Sequence, residues 1–350
     1  MGRKRKKSIR VTEEEFKMFR DIQKQCDKVD LPVNQVKHGW AKSKKASVFW
    51  KNPFYKDPQV LDYMDLRDSI IKLMDEHSPK YPKITRKHNY LDNMAFLSLA
   101  DFHFNKLCEK SVSGDRYDLD EALQRLTDGV NNLLALISTF KVEQFCLVIG
   151  NDILNSDTVT NTTTNGTPQD NDKHWTTAYE LAKLGLIHVI EMLVQVAPVH
   201  IVHCPSNHDY QSGFFLADSV KSWFRNLEDV TFDTTIRHRK YYQYGNNMIE
   251  MDHGDGCKVD DTPQIMAEEE RFMWANCIHR YSYKAHFHHK DKRVFQKQKE
   301  YPGVIIEFMS SPSPKDEWHD RKGYLSRPAL EIALHNRQRG KFGHFTHRFV

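Results

Sequence analysis

No stretch of this sequence reaches the roughly 18 consecutive apolar residues that a membrane-spanning helix requires. The first residues, Met1-Gly2-Arg3-Lys4-Arg5-Lys6-Lys7, also lack the apolar segment of a secretory signal, and the expectation is a cytoplasmic protein. Cysteine is scarce. The six residues (Cys26, Cys108, Cys146, Cys204, Cys257, Cys277) form no C-x-x-C pair, which argues against a disulfide framework or a thiolate zinc knuckle. No internal repeat is found.

What is there is enough chain, at 350 residues, for one large domain with an appendage or for two modest domains. The formal charge of +4 conceals an asymmetry. Residues 1 to 90 hold 22 Lys and Arg against 12 Asp and Glu, a balance of +10, which leaves −6 for the remainder. A basic arm ahead of an acidic body is an electrostatic handle for phosphate backbones, although basic N-termini are common and charge alone leaves the role open.

Thr12-Glu13-Glu14-Glu15 has capping-box spacing, and Phe16, Phe19 and Ile22 follow at helical intervals up to Leu31-Pro32. A basic segment with interleaved aromatics comes next (Lys37, Trp40, Lys42, Lys44, Lys45, Phe49, Trp50, Lys51), then a helical pattern near Leu61 to Met74. These aromatics suit core or interface packing as well as base stacking. Ser78 to His88 reads as a linker. The expected division is therefore a mainly helical, basic region over 1–90 and a larger domain over 91–350.

Past residue 90, apolar runs alternate with helical patterns, as in an α/β layered fold whose sheets are covered by helices. The runs are Ala95 to Ala100, Phe145 to Gly150, Val199 to Cys204, Met248 to Asp252 and Val304 to Met309. Between the first two, Asp118 and Glu121 cap a helix whose Ala122, Leu126, Val130, Leu133, Leu134 and Ile137 repeat on one face. A second helix is expected from about Thr177 to Val196, after a polar loop over Ser156 to Asp172 of the kind that borders active sites.

Ligand-type side chains stand where these runs end. Asp101 and His103 follow the first run, Asn151 and Asp152 the second, and Asn207, His208 and Asp209 the third. Two further clusters complete the set, Asp252-His253-Gly254-Asp255 after Met248 to Met251 and His286-Phe287-His288 after Tyr281 to Ala285. The carboxyl ends of strands in α/β sheets are where ligands bind, so residues far apart in sequence are placed to converge. Asp101 with His103, and His286 with His288, are i and i+2 pairs that project to one side of extended backbone. Carboxylate, amide and imidazole donors suit Mn²⁺, Fe or Zn²⁺ better than the all-oxygen sites of Ca²⁺. Two such ions roughly 3.5 to 4 Å apart bind phosphoryl oxygens and activate water. Any one of these motifs alone is weak evidence; the ordered series is specific.

That series, D-x-H, N-D, N-H-D, D-H-G and H-x-H, resembles the calcineurin-like metallophosphoesterases from about Ala95 to Met309. The resemblance implies a two-sheet β-sandwich flanked by helices, with metal-binding loops at one edge. It implies that Asp101, His103 and His288 hold a first metal, that Asn207, His253 and His286 hold a second, and that Asp152 bridges them. It further implies that His208 donates a proton to the leaving oxygen, oriented by Asp209, a role that suits an imidazole near neutral pH. Small residues depart from the family pattern: Asn151, Ser206, Ala285 and Asp252 stand where glycine is usual, so those turns are expected to run differently.

The absence of Asp-Arg-Gly after the second motif, and Asn207-His208-Asp209 in place of Asn-His-Glu, lean away from the protein phosphatases and towards nucleases and phosphodiesterases. Asn161 to Asp170 and the late Asp316-Glu317-Trp318-His319 with Arg321-Lys322-Gly323-Tyr324 look similar to phage- and prophage-encoded members of the DNA-repair-exonuclease-like group. The expectation is a two-metal phosphodiesterase, most consistent with Mn²⁺, acting on nucleic acid or a nucleotide. A phosphomonoesterase, and a nucleic-acid-binding protein with a vestigial metal site, stay open as alternatives.

Overall fold

In the computed structural model, which describes residues 13–42, 44, 46–55, 68, 72, 79–86, 92–286, 297–323 and 327–349, Glu13–Asp27 forms helix α1. Ile22 and Cys26, one helical turn apart, bury one face of α1 against Val33. The basic aromatic segment that follows is not helical. It folds as an antiparallel hairpin of β1 (His38–Lys42) and β2 (Ser47–Lys51), in which Gly39 faces Trp50. A Cβ at Gly39 would stand 2.6 Å from the Trp50 ring, so the glycine lets that ring lie across the hairpin. Buried Asn52 ties the end of β2 to the preceding turn, donating to the carbonyls of Val33 and Val36. Thr12 of the expected capping box, and all of the pattern near Leu61 to Met74 except Asp68 and Lys72, lie outside the described residues.

The chain divides into two units, Met1–Ser78 and Pro79–Val350. Residues 79–86 therefore group with the larger unit, and the reason is visible. The Tyr81 hydroxyl donates to Glu191, and Arg86 donates to the Val194 carbonyl and to Asp229.

The larger unit is mixed α/β. Its six-stranded sheet contains β3 (Asn93–Ser98), β4 (Gln144–Gly150), β5 (Val199–Cys204) and β6 (Val230–Asp233), all parallel. A five-stranded sheet is built on β7 (Lys240–Tyr244), β8 (Asn247–Asp252), β9 (His279–Lys284), β10 (Gln298–Tyr301) and β11 (Val304–Phe308), in the order β10-β11-β9-β8-β7. The chain then returns to the first sheet with β12 (Ala329–Asn336), antiparallel to β3, and β13 (Gly340–Arg348) at its edge. The five apolar runs of the sequence correspond to β3, β4, β5, β8 and β11.

Strand alternation assigns the faces. Met94, Phe96, Cys146, Val148, Val202 and Cys204 point from the six-stranded sheet into one apolar layer with Ile249, Met251, Tyr281 and Tyr283 of the five-stranded sheet. Phe96 and Tyr283 stack there with ring centroids 4.0 Å apart. The intervening residues, Ala95, Leu97, Phe145, Leu147 and Ile201, face helices on the opposite side. After a short helix α2 (Lys110–Ser113), those helices are α3 (Leu119–Leu136), α4 (Trp175–Val196) and α5 (Tyr210–Trp223). Asp118 caps α3 as expected, accepting from the Glu121 amide at 2.8 Å, and Ala122, Leu126, Val130 and Leu133 are fully buried along it. The outer face of the five-stranded sheet is covered by α6 (Thr262–Glu269) and α7 (Arg271–Asn276) through Met266 and Met273. A last helix, α8, spans Glu317–Lys322.

Candidate metal centre

The carboxyl ends of β3, β4 and β5 lie side by side, because these strands are parallel neighbours in one sheet. Those of β8 and β9 are parallel neighbours in the other. The loops leaving these five ends carry Asp101 and His103, Asp152, Asn207, His253 and His286, and the structure brings them together.

Two groups form around one carboxylate. His103, Asp152 and His208 each offer a ligand atom within 4.8 Å of the others, and so do Asp152, His253 and His286. In the second group, His253 Nε2 is 2.8 Å from Asn207 Oδ1 and 3.2 Å from Asp152 Oδ2. Asp101 sits between strands of both sheets: its carboxylate accepts the His286 amide at 3.2 Å and lies 3.8 Å from His103 Nε2. Asp101, Asp152 and His253 are almost wholly buried, and His103 nearly so. His288 lies outside the described residues.

Backbone strain concentrates here. Asp101 (φ 56°), His103 (φ 46°), Asn151 (φ 51°), Asp152 (φ 61°) and His286 (φ 63°) all take the left-handed conformation that disfavours a side chain. Asn151 keeps the left-handed turn that its expected glycine counterpart would allow, because Asn tolerates that region best among larger residues. Its amide donates to the Cys204 carbonyl at 2.9 Å and its carbonyl accepts from Asp101 at 2.7 Å, which ties the three strand ends together. Ser206, the second departure from glycine, adds a clamp. Its hydroxyl accepts the Asp152 amide at 2.7 Å and donates to Asp209 at 2.5 Å.

The electrostatics follow from burial and from this crowding. Burial alone would raise the Asp152 pKa, yet His253, His208 and His103 hold it well below the usual carboxylate range. Burial pushes His103 well below the ordinary imidazole value, which keeps it neutral and leaves a lone pair. Burial also works against charge on His253, but the adjacent Asp152 outweighs it and raises the pKa to about 9. With a proton on Nε2, His253 bridges Asn207 and Asp152; with that proton lost, the same three residues would be placed to hold a cation.

The donor set fits divalent metal ions by its chemistry. His103, Asp152 and His208, and again Asp152, His253 and His286, bring imidazole nitrogen and carboxylate oxygen within 4.8 Å of one another in a largely buried place, the mixed donors that transition-metal ions take.

Asp209 does not orient His208. Its carboxylate is buried, accepts from Ser206 and from the Leu154 amide at 2.9 Å, and has its pKa pushed up to about 7, by burial first and by Asp152 second. The His208 ring is held instead by the Asn155 carbonyl, 3.0 Å from Nδ1. Asn155 was not singled out in the sequence, and neither was Lys106, whose buried ammonium donates to the Pro314 carbonyl and pairs with Asp316. Both line a cleft of about 530 Å³ with His208, Asp170, Glu317 and Arg321. The polar loop over 156–172 and the late Asp316 to Arg321 motif thus form two walls of one cleft beside the centre.

Neither protein-family models nor curated proteins match this chain.

Proposed function

We propose that this chain is a phosphoesterase of the calcineurin-like type that uses two divalent metal ions to hydrolyse phosphodiester bonds of nucleic acid or of a nucleotide. One observation carries the reading: Asp152 belongs to both ligand groups, the arrangement that a dinuclear centre needs of a bridging carboxylate. The stacking of the two sheets through Phe96 and Tyr283, with the ligands at one edge, fits that family's sandwich.

Asp101, His103 and Asp152 would hold one ion, with His288 by resemblance, and Asp152, Asn207, His253 and His286 the other. Mixed oxygen and nitrogen donors suit Mn²⁺, with Fe or Zn²⁺ as alternatives. When bound, the ions would supply Lewis-acid polarisation of the phosphoryl group and a water activated for attack. The protein's own residues do the rest. Left-handed turns and the Ser206 clamp hold the ligands in register before substrate arrives. His208, with Nδ1 engaged by Asn155, keeps Nε2 for exchange of a proton with the leaving oxygen. Arg321 is exposed on the cleft wall and offers a cation to the phosphate chain.

The test is hydrolysis of bis(4-nitrophenyl) phosphate with added Mn²⁺ by the wild type, Asp152→Ala and His253→Ala. Both variants are expected to lose at least about two orders of magnitude of rate, as for removal of a group that stabilises transition-state charge. Wild-type turnover in both would refute the proposal.

A further inference from the structure

An apolar pocket that the phosphoester chemistry does not use lies beside Asn155, the residue whose carbonyl holds the His208 ring. It encloses about 350 Å³, at the lower end of the size of small-molecule sites. Its floor is Phe104 with Leu154, joined as a β-bridge just past the ligands His103 and Asp152. One wall is the first turns of α4, where Trp175, Ala178 and Tyr179 share a face at i, i+3 and i+4. The facing wall is the start of α5, with Gln211 and Phe215. Val159 from the polar loop closes the rim.

The chemistry of this lining is selective. Trp175, Phe215 and Val159 are 44%, 51% and 77% exposed, a gathering of solvent-facing apolar side chains around one opening. The polar groups between them are already engaged. The Asp157 carboxylate accepts the Gln211 and Ser212 amides, the Asn155 amide group donates to Asp170 and Asn171, and the Tyr179 hydroxyl is bonded to Ser219. Asn105 is spent on both the amide and the carbonyl of Lys173. What the lining offers beyond these engaged groups is apolar and aromatic side chain, from Phe104, Leu154, Trp175, Tyr179 and Phe215, which suits a flat, uncharged ring. The pocket also adjoins the cleft beside the metal centre. Asn155 lines both it and the cleft that contains His208, and the same residue's carbonyl holds the His208 ring.

We infer that this pocket is a nucleobase subsite, which receives the base of a nucleotide whose phosphate lies at the metal centre. The inference rests on the phosphoesterase reading above and narrows it to substrates that carry a base within one nucleotide of the scissile bond.

The binding test needs no metal. Thymidine and adenosine are titrated into the EDTA-treated full chain, with tryptophan fluorescence as the readout. Saturable quenching is expected, absent in Trp175→Phe and weakened in Val159→Arg, a change at an exposed rim position that narrows the mouth without altering the core. Thermal melting confirms that each variant is folded. The Mn²⁺-loaded protein is then assayed on thymidine 5′-(4-nitrophenyl phosphate) and on methyl 4-nitrophenyl phosphate, which share a leaving group and differ in the base. The ratio of their kcat/KM values is expected to favour the nucleotide ester and to fall about tenfold in Phe215→Ala, the loss typical of one stacking contact.

No quenching by either nucleoside, or quenching that survives intact in Trp175→Phe, overturns the subsite. Quenching without selectivity between the esters overturns it too, since the base would then sit off the reaction path. If neither ester is hydrolysed, the phosphoesterase reading fails, and the metal-free titration still decides whether the pocket binds a base.

Discussion

His208 Nδ1 lies 3.0 Å from the carbonyl oxygen of Asn155, and this contact sets which ring nitrogen is available for chemistry. A backbone carbonyl can only accept, so Nδ1 carries the hydrogen and Nε2 is the atom that gains and loses a proton. His208 is nevertheless close enough to His103 and Asp152 to serve as a ligand, with its ring 4.6 Å from that of His103.

The two roles are separable by leaving group. As a general acid, His208→Ala should slow an alkyl diester by about 10² to 10⁴ and slow a 4-nitrophenyl ester far less, because nitrophenolate departs without a proton. Bound metal per chain, measured by elemental analysis, should stay at the wild-type value. Metal lost in step with activity would make His208 a ligand and leave the acid unassigned.

Asp209 should matter to the loop rather than to the proton. Its carboxylate accepts from Ser206 and Leu154, and Ser206 in turn accepts the Asp152 amide. Asp209→Ala strips acceptors from two buried donors, at about 1 to 3 kcal/mol each when left unsatisfied, and should lower the melting temperature by several degrees. Asp209→Asn, which keeps an oxygen, should recover part of that. The sensitivity to leaving group ascribed to His208 should survive in Asp209→Asn; its disappearance there would restore Asp209 as the orienting residue.

The series of ligand motifs was legible because strand ends announce themselves. Apolar runs of five or six residues stopped at Ala100, Gly150 and Cys204, and the polar residues that followed had to sit at one sheet edge if the strands were parallel. The hydrogen-bond pairings within the loops were not legible. Nothing in the spacing of His208 and Asp209 shows that adjacent side chains turn to different partners, because that depends on a backbone turn rather than on a period. Asn155 acts through its carbonyl, an atom that every residue owns, and so leaves no trace in residue type. The hairpin over His38–Lys51 was hidden for a related reason: its lysines and aromatics give no clean alternation, and Gly39 matters only because the Trp50 ring lies over it. β13 carries charged and aromatic residues in an edge strand with one wet face, and no continuous apolar run marks it.

Asn151 tests whether the strained turn is part of the site. At φ 51° the residue is tolerated only because Asn enters the left-handed region readily. Asn151→Gly should keep the turn and bind metal as the wild type does. Asn151→Val, β-branched in the same conformation, should cost about 1 to 3 kcal/mol of stability and weaken metal binding, since this backbone holds the Asp101 amide. Thermal melting with and without Mn²⁺ separates the effects: equal metal-induced stabilisation in both variants would show that the turn serves folding alone.

On β13, His344 is set between two buried carboxylates, with Nδ1 3.5 Å from Glu307 and Nε2 3.6 Å from Glu331. Pairing with Glu307 and Glu331 raises its pKa to about 9, from an ordinary value of 6.5. Below pH 6.5 the imidazole is protonated whether the chain is folded or not, and its stabilising contribution is complete. Between 6.5 and 9 the unfolded chain releases the proton while the folded chain keeps it, so stability falls as pH rises, and above 9 the contribution is gone. Because His344 is partly exposed, with 26% of its side chain accessible, the slope should be less than the ~1.4 kcal/mol per pH unit of one full proton. Other groups titrate in the same window, among them His253, so the informative quantity is a difference. Urea unfolding of the wild type and His344→Gln in EDTA-containing buffer, at pH 6, 7.5 and 9, should show the wild-type advantage shrinking steadily with pH. An advantage that is constant across the three values would mean that His344 contributes packing and no charge.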